Sequence, residues 1–171
     1  MANKFCAIIH FIILLPIFFI VILLIIFEDG LPVFFRQKRV GINNTFFIIY
    51  KFRSMKKDTP NVATHLITNP EKYLLKIGKF LRKTSLDELP NLMNIIKGEM
   101  VFVGPRPALY NQDDLMILRV ATGVDKLKPG ITGWAQIHGR NSLPFSERFK
   151  LDVWYVDNVS FKLDLFFAGS V

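Results

Sequence analysis

The sequence predicts an α+β protein: an apolar N-terminal membrane helix, then a small, mostly helical domain carrying a short β-hairpin. Three observations predict it. Residues 5–27 contain no charged residue, two β-rich runs flank a Gly-Ile-Asn-Asn turn, and most later segments carry helical periodicity. The 171 residues suit one domain with a modest core, with no internal repeat or low-complexity tract.

The apolar fraction is 51%, and the excess is concentrated in residues 5–27. About 20 apolar residues suffice to cross a hydrocarbon core as a helix. A cleaved signal peptide fits less well, because no small-residue site follows Phe27 and the run exceeds a typical h-region. Pro16, near the middle, removes one backbone hydrogen bond and clashes with the preceding turn. Two readings follow: a straight span with a tolerated kink, or a helix-break-helix that enters one leaflet and returns. Lys4 alone precedes the run, whereas Arg36, Lys38, Arg39, Lys51, Arg53, Lys56 and Lys57 follow it. The positive-inside rule therefore places everything after residue 28 in the cytoplasm. The organisation expected is an anchor over 1–28 and a domain over 29–171.

Pro32-Val33-Phe34-Phe35 and Thr45-Phe46-Phe47-Ile48-Ile49-Tyr50 read as strands joined at Gly41-Ile42-Asn43-Asn44, a hairpin. Residues 58–70 are polar with two prolines and read as a loop. Residues 71–82 read as a basic amphipathic helix, suited either to an anionic membrane surface or to ordinary solvent. A second helix is expected over 86–97, then a strand at Val101-Phe102-Val103 that stops at Gly104-Pro105-Arg106-Pro107. A helix over 111–121, a turn-rich segment from Lys128 to Asn141 and a last helix over 145–156 complete the chain.

Lys and Arg total 22 against 14 acids, a net charge of +8. With so apolar an N-terminus, that balance favours lipid headgroups or phosphate-bearing substrates over nucleic acid. A nucleic-acid binder would interleave basic residues with exposed aromatics, whereas most phenylalanines here lie in the anchor or strands. The single cysteine, Cys6, excludes an intrachain disulfide. His10, His65 and His138 lack zinc-like spacing, and no GxGxxG or Walker motif is present.

Thr84-Ser85-Leu86-Asp87-Glu88-Leu89-Pro90 is the most informative stretch. Ser85-x-x-Glu88 has the form of a capping box, by which the acids merely start a helix. With Ser85 as N-cap, however, Pro90 falls past the donors a helix start can spare. The other reading is chemical. A carboxylate attacking a diphosphate gives an acyl phosphate and splits one substitution into two. The electrophile's negative charge must then be cancelled by Mg²⁺ and guanidinium groups, and Mg²⁺ is held by one or two carboxylates plus substrate phosphates. Arg82, Arg106 between two prolines, and Arg140 in a Gly-Arg-Asn turn are candidate phosphate ligands. Each is also readable as a solvated arginine, although a stiff Pro-Arg-Pro backbone is unnecessary for that.

Taken together, Arg36-Gln37-Lys38-Arg39-Val40-Gly41, Tyr50-Lys51-Phe52-Arg53-Ser54-Met55, Ser85-Leu86-Asp87-Glu88-Leu89-Pro90, Phe102-Val103-Gly104-Pro105-Arg106-Pro107, Lys128-Pro129-Gly130-Ile131-Thr132-Gly133-Trp134-Ala135-Gln136 and Gly139-Arg140-Asn141 resemble, in order, the bacterial sugar transferases. These are monotopic polyprenyl-phosphate sugar-1-phosphate transferases (phosphoglycosyl transferases). The likeness covers roughly residues 5–166. It implies a UDP-sugar donor, Mg²⁺, and a polyprenyl (usually undecaprenyl) phosphate acceptor at the cytoplasmic face of the bacterial inner membrane. It implies Asp87 as nucleophile, displacing UMP, with Asp87 and Glu88 about the metal. Arg106 and Arg82 correspond to the phosphate clamp, and Arg140 to a nucleotide-sugar contact. Inner-membrane lipids and other glycan-assembly enzymes are the further partners implied.

The same resemblance implies a re-entrant helix broken at Pro16, which selects between the two readings of the anchor. Two departures stand out. Leu15 replaces the family's usual serine before that proline, and Phe166-Phe167-Ala168-Gly169-Ser170-Val171 stands where members continue into a basic amphipathic helix. A competing reading, a non-catalytic membrane-bound scaffold of a glycan-assembly complex, draws on that C-terminus and is opposed by the intact acidic pair.

Overall fold

The computed structural model describes residues 2–60, 68–138 and 145–168. Its architecture is α+β, as the sequence predicts. The first element, α1 (Ala2–Asp29), is long and apolar enough to cross a membrane by length and composition. Helical backbone continues through Pro16 rather than stopping there. A proline forfeits one hydrogen bond and crowds the preceding turn, but later residues still find their own acceptors. The break expected at this position is therefore not a break in helical backbone.

Ala7, Phe18, Val21 and Ile25 are the buried residues of α1. Their spacing places them on one stripe at the helical period. The rest stays bare: Phe5 and Ile13 are each 67% exposed and Phe27 83%. The stripe meets two clusters. Phe18, Val21 and Ile25 pack with Val33, Phe52, Leu75 and Leu81, while Ala7 packs with Phe47, Ile49, Leu92, Ile95 and Met100.

Strands β1 (Phe34–Val40) and β2 (Phe46–Phe52) form the predicted hairpin, antiparallel, joined through a 3₁₀ turn at Ile42–Asn44. Arg39 pairs with Phe47, Gln37 with Ile49, and Phe35 with Lys51. Alternation puts these six side chains on one face. Because Phe47 and Ile49 are buried against α1 and α3 (Leu92–Lys97), Arg39 and Lys51 are carried towards the interior with them.

The foot of α1 is tied down twice. Arg53, just past β2, pairs with the Asp29 carboxylate and donates to Gly30 O (2.5 Å), Pro32 O (2.6 Å) and Asp29 O (3.2 Å). The Glu28 carboxylate accepts the N–H groups of Lys76 (2.5 Å) and Ile77 (3.1 Å), capping α2 (Lys76–Thr84). Gly78 lets α2 lie flush on the chain after β2, since a Cβ there would stand 2.1 Å from Ser54 O. Helix α2 begins later than the sequence suggests, because Pro70–Tyr73 forms a separate 3₁₀ turn.

Strand β3 (Val101–Val103) pairs in parallel with β4 (Gly130–Thr132), within the segment the sequence shows only as turn-rich. Helix α4 (Asp113–Ala121) links them. Helices α5 (Trp134–Ile137), α6 (Phe145–Asn158) and α7 (Phe161–Ala168) follow. Val103, Tyr155 and Phe167 form a third cluster, flanked by Trp134 and Leu163. α7 goes beyond the expected elements.

Candidate active site

The acidic pair sits on a 3₁₀ turn, Leu86–Asn91, between α2 and α3. Ser85 adopts left-handed backbone (φ 58°, ψ 13°) and closes α2, and no side-chain cap bond forms there. The capping-box reading is thus corrected. Ser85 ends α2 and opens the 3₁₀ turn through its carbonyl, which accepts the Glu88 N–H (3.0 Å), while the Glu88 carboxylate turns to Lys51 Nζ at 2.5 Å. In a 3₁₀ turn, residues three apart eclipse one another. Leu86 and Leu89 accordingly pack together onto the α1 cluster. Glu88 and Asn91 share a different side and line a recess with Arg39, Lys51, Arg106 and Pro107, over Ile49, Met100 and Ile131. Pro90 is accommodated because the regular helix begins only at Leu92.

Charges divide around the two acids. Burial pushes the Asp87 carboxyl above its ordinary value. Lys51 and Arg82 pull it down, and neighbouring Glu88 pushes it up. Arg82 donates Nε–H to Ser54 Oγ at 2.9 Å; burial lowers its pKa while Asp87 raises it. Arg39 is drawn down to about 10, by burial first and by the Arg106 charge second, with Glu88 opposing. Asp87 therefore keeps company with Arg82, and Glu88 with Arg39 and Arg106. Lys51 serves both acids.

The loop bearing Arg106 is held from two directions. Arg39 Nη1 donates to Pro107 O (3.0 Å) and Val40 N–H to Ala108 O (3.0 Å), sewing β1 to the loop. On the other side, Gly104 N–H donates to Thr132 O and Gly130 N–H to Pro105 O. A Cβ at Gly130 would stand 2.2 Å from Gly104 N, so only glycine permits this backbone contact.

Of the residues predicted from sequence, Arg82 stands beside Asp87 and Arg106 lines the recess with Glu88, so the two arginines expected as one clamp fall on different sides of the acidic turn. Pro16 lies within α1, and Arg140 lies outside the described residues. Lys51 and Arg39 were missed as site residues. Their signal was strand alternation: each is in step with an inward-facing residue of the hairpin. Among the described residues no group of three or more His, Cys, Asp or Glu could hold a metal ion. Two adjacent carboxylates beside Lys51 and Arg82 fit Mg²⁺, which takes the rest of its oxygens from substrate and water.

A family model described as bacterial sugar transferase matches residues 1–168. The uncharacterized sugar transferase EpsL of Bacillus subtilis is 48% identical over 136 residues, covering 80% of this chain and 66% of that protein. The exopolysaccharide production protein ExoY of Sinorhizobium fredii is 38% identical over 175 residues, covering 93% and 76%. The UDP-glucose:undecaprenyl-phosphate glucose-1-phosphate transferase of Xanthomonas campestris is 38% identical over 142 residues, covering 78% and 29%. The chain thus spans less than two thirds of the Bacillus and Xanthomonas proteins. By the family match and this similarity, the chain belongs to the bacterial sugar transferase family.

Proposed function

We propose that this chain moves a sugar-1-phosphate from a UDP-sugar to a polyprenyl phosphate such as undecaprenyl phosphate, releasing UMP in the first membrane step of glycan, lipopolysaccharide or exopolysaccharide assembly. The observation that carries this reading is the half-buried Asp87-Glu88 pair set among Lys51, Arg82, Arg39 and Arg106. The activity named for the Xanthomonas relative, glucose-1-phosphate transfer from UDP-glucose to undecaprenyl phosphate, supports the substrate class.

Asp87 attacks the β-phosphorus of the donor. A bond forms from its carboxylate oxygen, the bond from that phosphorus to the bridging oxygen breaks, and UMP leaves with the electron pair. The resulting acyl phosphate holds the sugar on Asp87. A phosphate oxygen of the polyprenyl phosphate then attacks the same phosphorus and returns Asp87 to a carboxylate. Burial strips water from Asp87 and makes it a stronger base, while Lys51 and Arg82 favour its ionised form. Lys51 steadies Glu88 beside it. Asp87 and Glu88 would hold Mg²⁺, which when bound cancels diphosphate charge that would repel the nucleophile.

The lipid acceptor requires a site at the membrane, and the bare apolar faces of α1 provide one. The proposed arrangement keeps both ends of α1 on the domain's side, facing the cytoplasm at the inner membrane. A helix of 28 residues is about 42 Å long. Were it to leave the domain as a perpendicular span, its N-terminal end would stand far from the domain. Instead Asn3 Oδ1 accepts the N–H of Phe102 (3.4 Å), and Ala7 is fully buried among domain residues. In a Cys6→Ala background, a cysteine at Asn3 should react with a membrane-impermeant maleimide only from the cytoplasmic side. Periplasmic labelling would restore the straight span.

The activity test is incubation of the purified chain with UDP-sugars, Mg²⁺ and undecaprenyl phosphate. UMP release is expected, and Asp87→Asn should abolish it. Turnover persisting in that variant would remove Asp87 as nucleophile.

A further inference from the structure

We infer that Arg39 and Arg106 form a two-guanidinium clamp for the phosphate of the leaving nucleotide, on the Glu88 side of the acidic turn and apart from Arg82 on the Asp87 side. The inference rests on the nucleotide-sugar reading of the site and goes further by assigning Arg39 to one phosphate.

Arg39 reaches the recess wall because strand alternation turns it inward opposite Phe47. It donates to Pro107 O (3.0 Å) and Gln37 Oε1 (2.6 Å), both uncharged acceptors. Its Nε is buried without a hydrogen-bond partner. Arg106 lines the same recess, close enough for its charge to act against Arg39. Burial and the Arg106 charge outweigh the opposing Glu88 carboxylate in the same recess, and an anion between the two guanidiniums would offset the remaining cost.

Holding the loop does not require this charge. Val40 N–H already donates to Ala108 O, and Arg39 and Leu109 bridge backbone to backbone. A guanidinium offers a planar fork that matches phosphate oxygens, and here part of the fork is uncommitted. Position selects the phosphate. Arg82 neighbours the attacking carboxylate, so the attacked phosphorus belongs on that side. The other phosphate of the donor then falls towards Arg39 and Arg106. Negative charge grows on that phosphate as UMP departs, and cations fixed there act most strongly in the transition state.

The test compares UMP with uridine, which lacks the phosphate, in calorimetric titrations of the full chain in detergent. Wild type should bind UMP more tightly than uridine. Arg39→Gln should lose at least about tenfold in UMP affinity, the scale of a lost charge-assisted hydrogen bond, with uridine affinity unchanged. Arg39→Lys should fall between, keeping the charge but not the fork. If Arg39→Gln does not fold, Arg39→Lys carries the comparison on the same affinity ratio. The inference is overturned by an unchanged ratio, by equal weakening of both ligands, or by a wild type that does not prefer UMP. Binding needs no turnover, so failure of the proposed reaction would appear separately, as wild type releasing no UMP from donor and lipid.

Discussion

The two ends of the β-hairpin each hold an arginine turned inward, and they use it differently. At the open end Arg53 meets the Asp29 carboxylate and three backbone carbonyls, and its neighbours are the foot of α1 and the Pro32 turn. At the turn end Arg39 meets a carbonyl and an amide, leaves Nε unpaired, and faces Arg106. The first guanidinium is consumed by the scaffold. The second retains an unpaired Nε–H, and the Glu88 carboxylate balances its charge only in part against burial and Arg106. An arginine's role is therefore read from what remains unspent after folding, since both are buried to a similar end by the same strand geometry.

That contrast can be broken by stability measurements. Arg53→Ala should be the more destabilising change, because three backbone carbonyls, Asp29 O, Gly30 O and Pro32 O, lose their donor together with the ion pair to Asp29. Arg39→Gln should cost about 1 kcal/mol, the scale of a hydrogen bond to a neutral acceptor. Chemical denaturation of both variants checks this, and equal losses would erase the distinction between scaffold and site. The smallest effect concerns Asp87. Burial raises its folded-state pKa above the ordinary carboxylate value, so the folded chain holds the proton more tightly than the unfolded chain does. Stability on this account falls as pH rises from the ordinary value through the raised one. Asp87→Asn should therefore raise Tm slightly at neutral pH while abolishing UMP release, and a lowered Tm would contradict the burial cost. In the active chain kcat/KM should fall as acidification protonates Asp87, with its midpoint above the usual carboxylate range.

Some of this was legible in the residues. The acids Asp87 and Glu88, together with Arg82 and Arg106, were found because they cluster in short motifs with prolines that fix local geometry. Lys51 and Arg39 were not, because a cation in a strand reads as a solvent-facing residue until the opposite face is known to be covered. Here both faces matter: α1 and α3 cover Phe47 and Ile49, and that carries the two cations inside. The pairing of β3 with β4 was hidden for a related reason. Each is three residues long, too short for periodicity, and the pairing is made by backbone contacts between segments far apart in sequence.

The sequence by itself determined the apolar helix, the hairpin and the adjacent acids, since these follow from local hydrophobicity, alternation and residue type. Only the tertiary structure decided what those acids do. Ser85 Leu86 Asp87 Glu88 can cap a helix by local rules, and the choice went otherwise. α2 ends at a left-handed Ser85, Leu86 and Leu89 are drawn onto α1, and Lys51 arrives from the hairpin to take Glu88. Packing energy from residues distant in the chain outweighs a single cap bond of about 1 kcal/mol, and that turns a helix start into a charged recess.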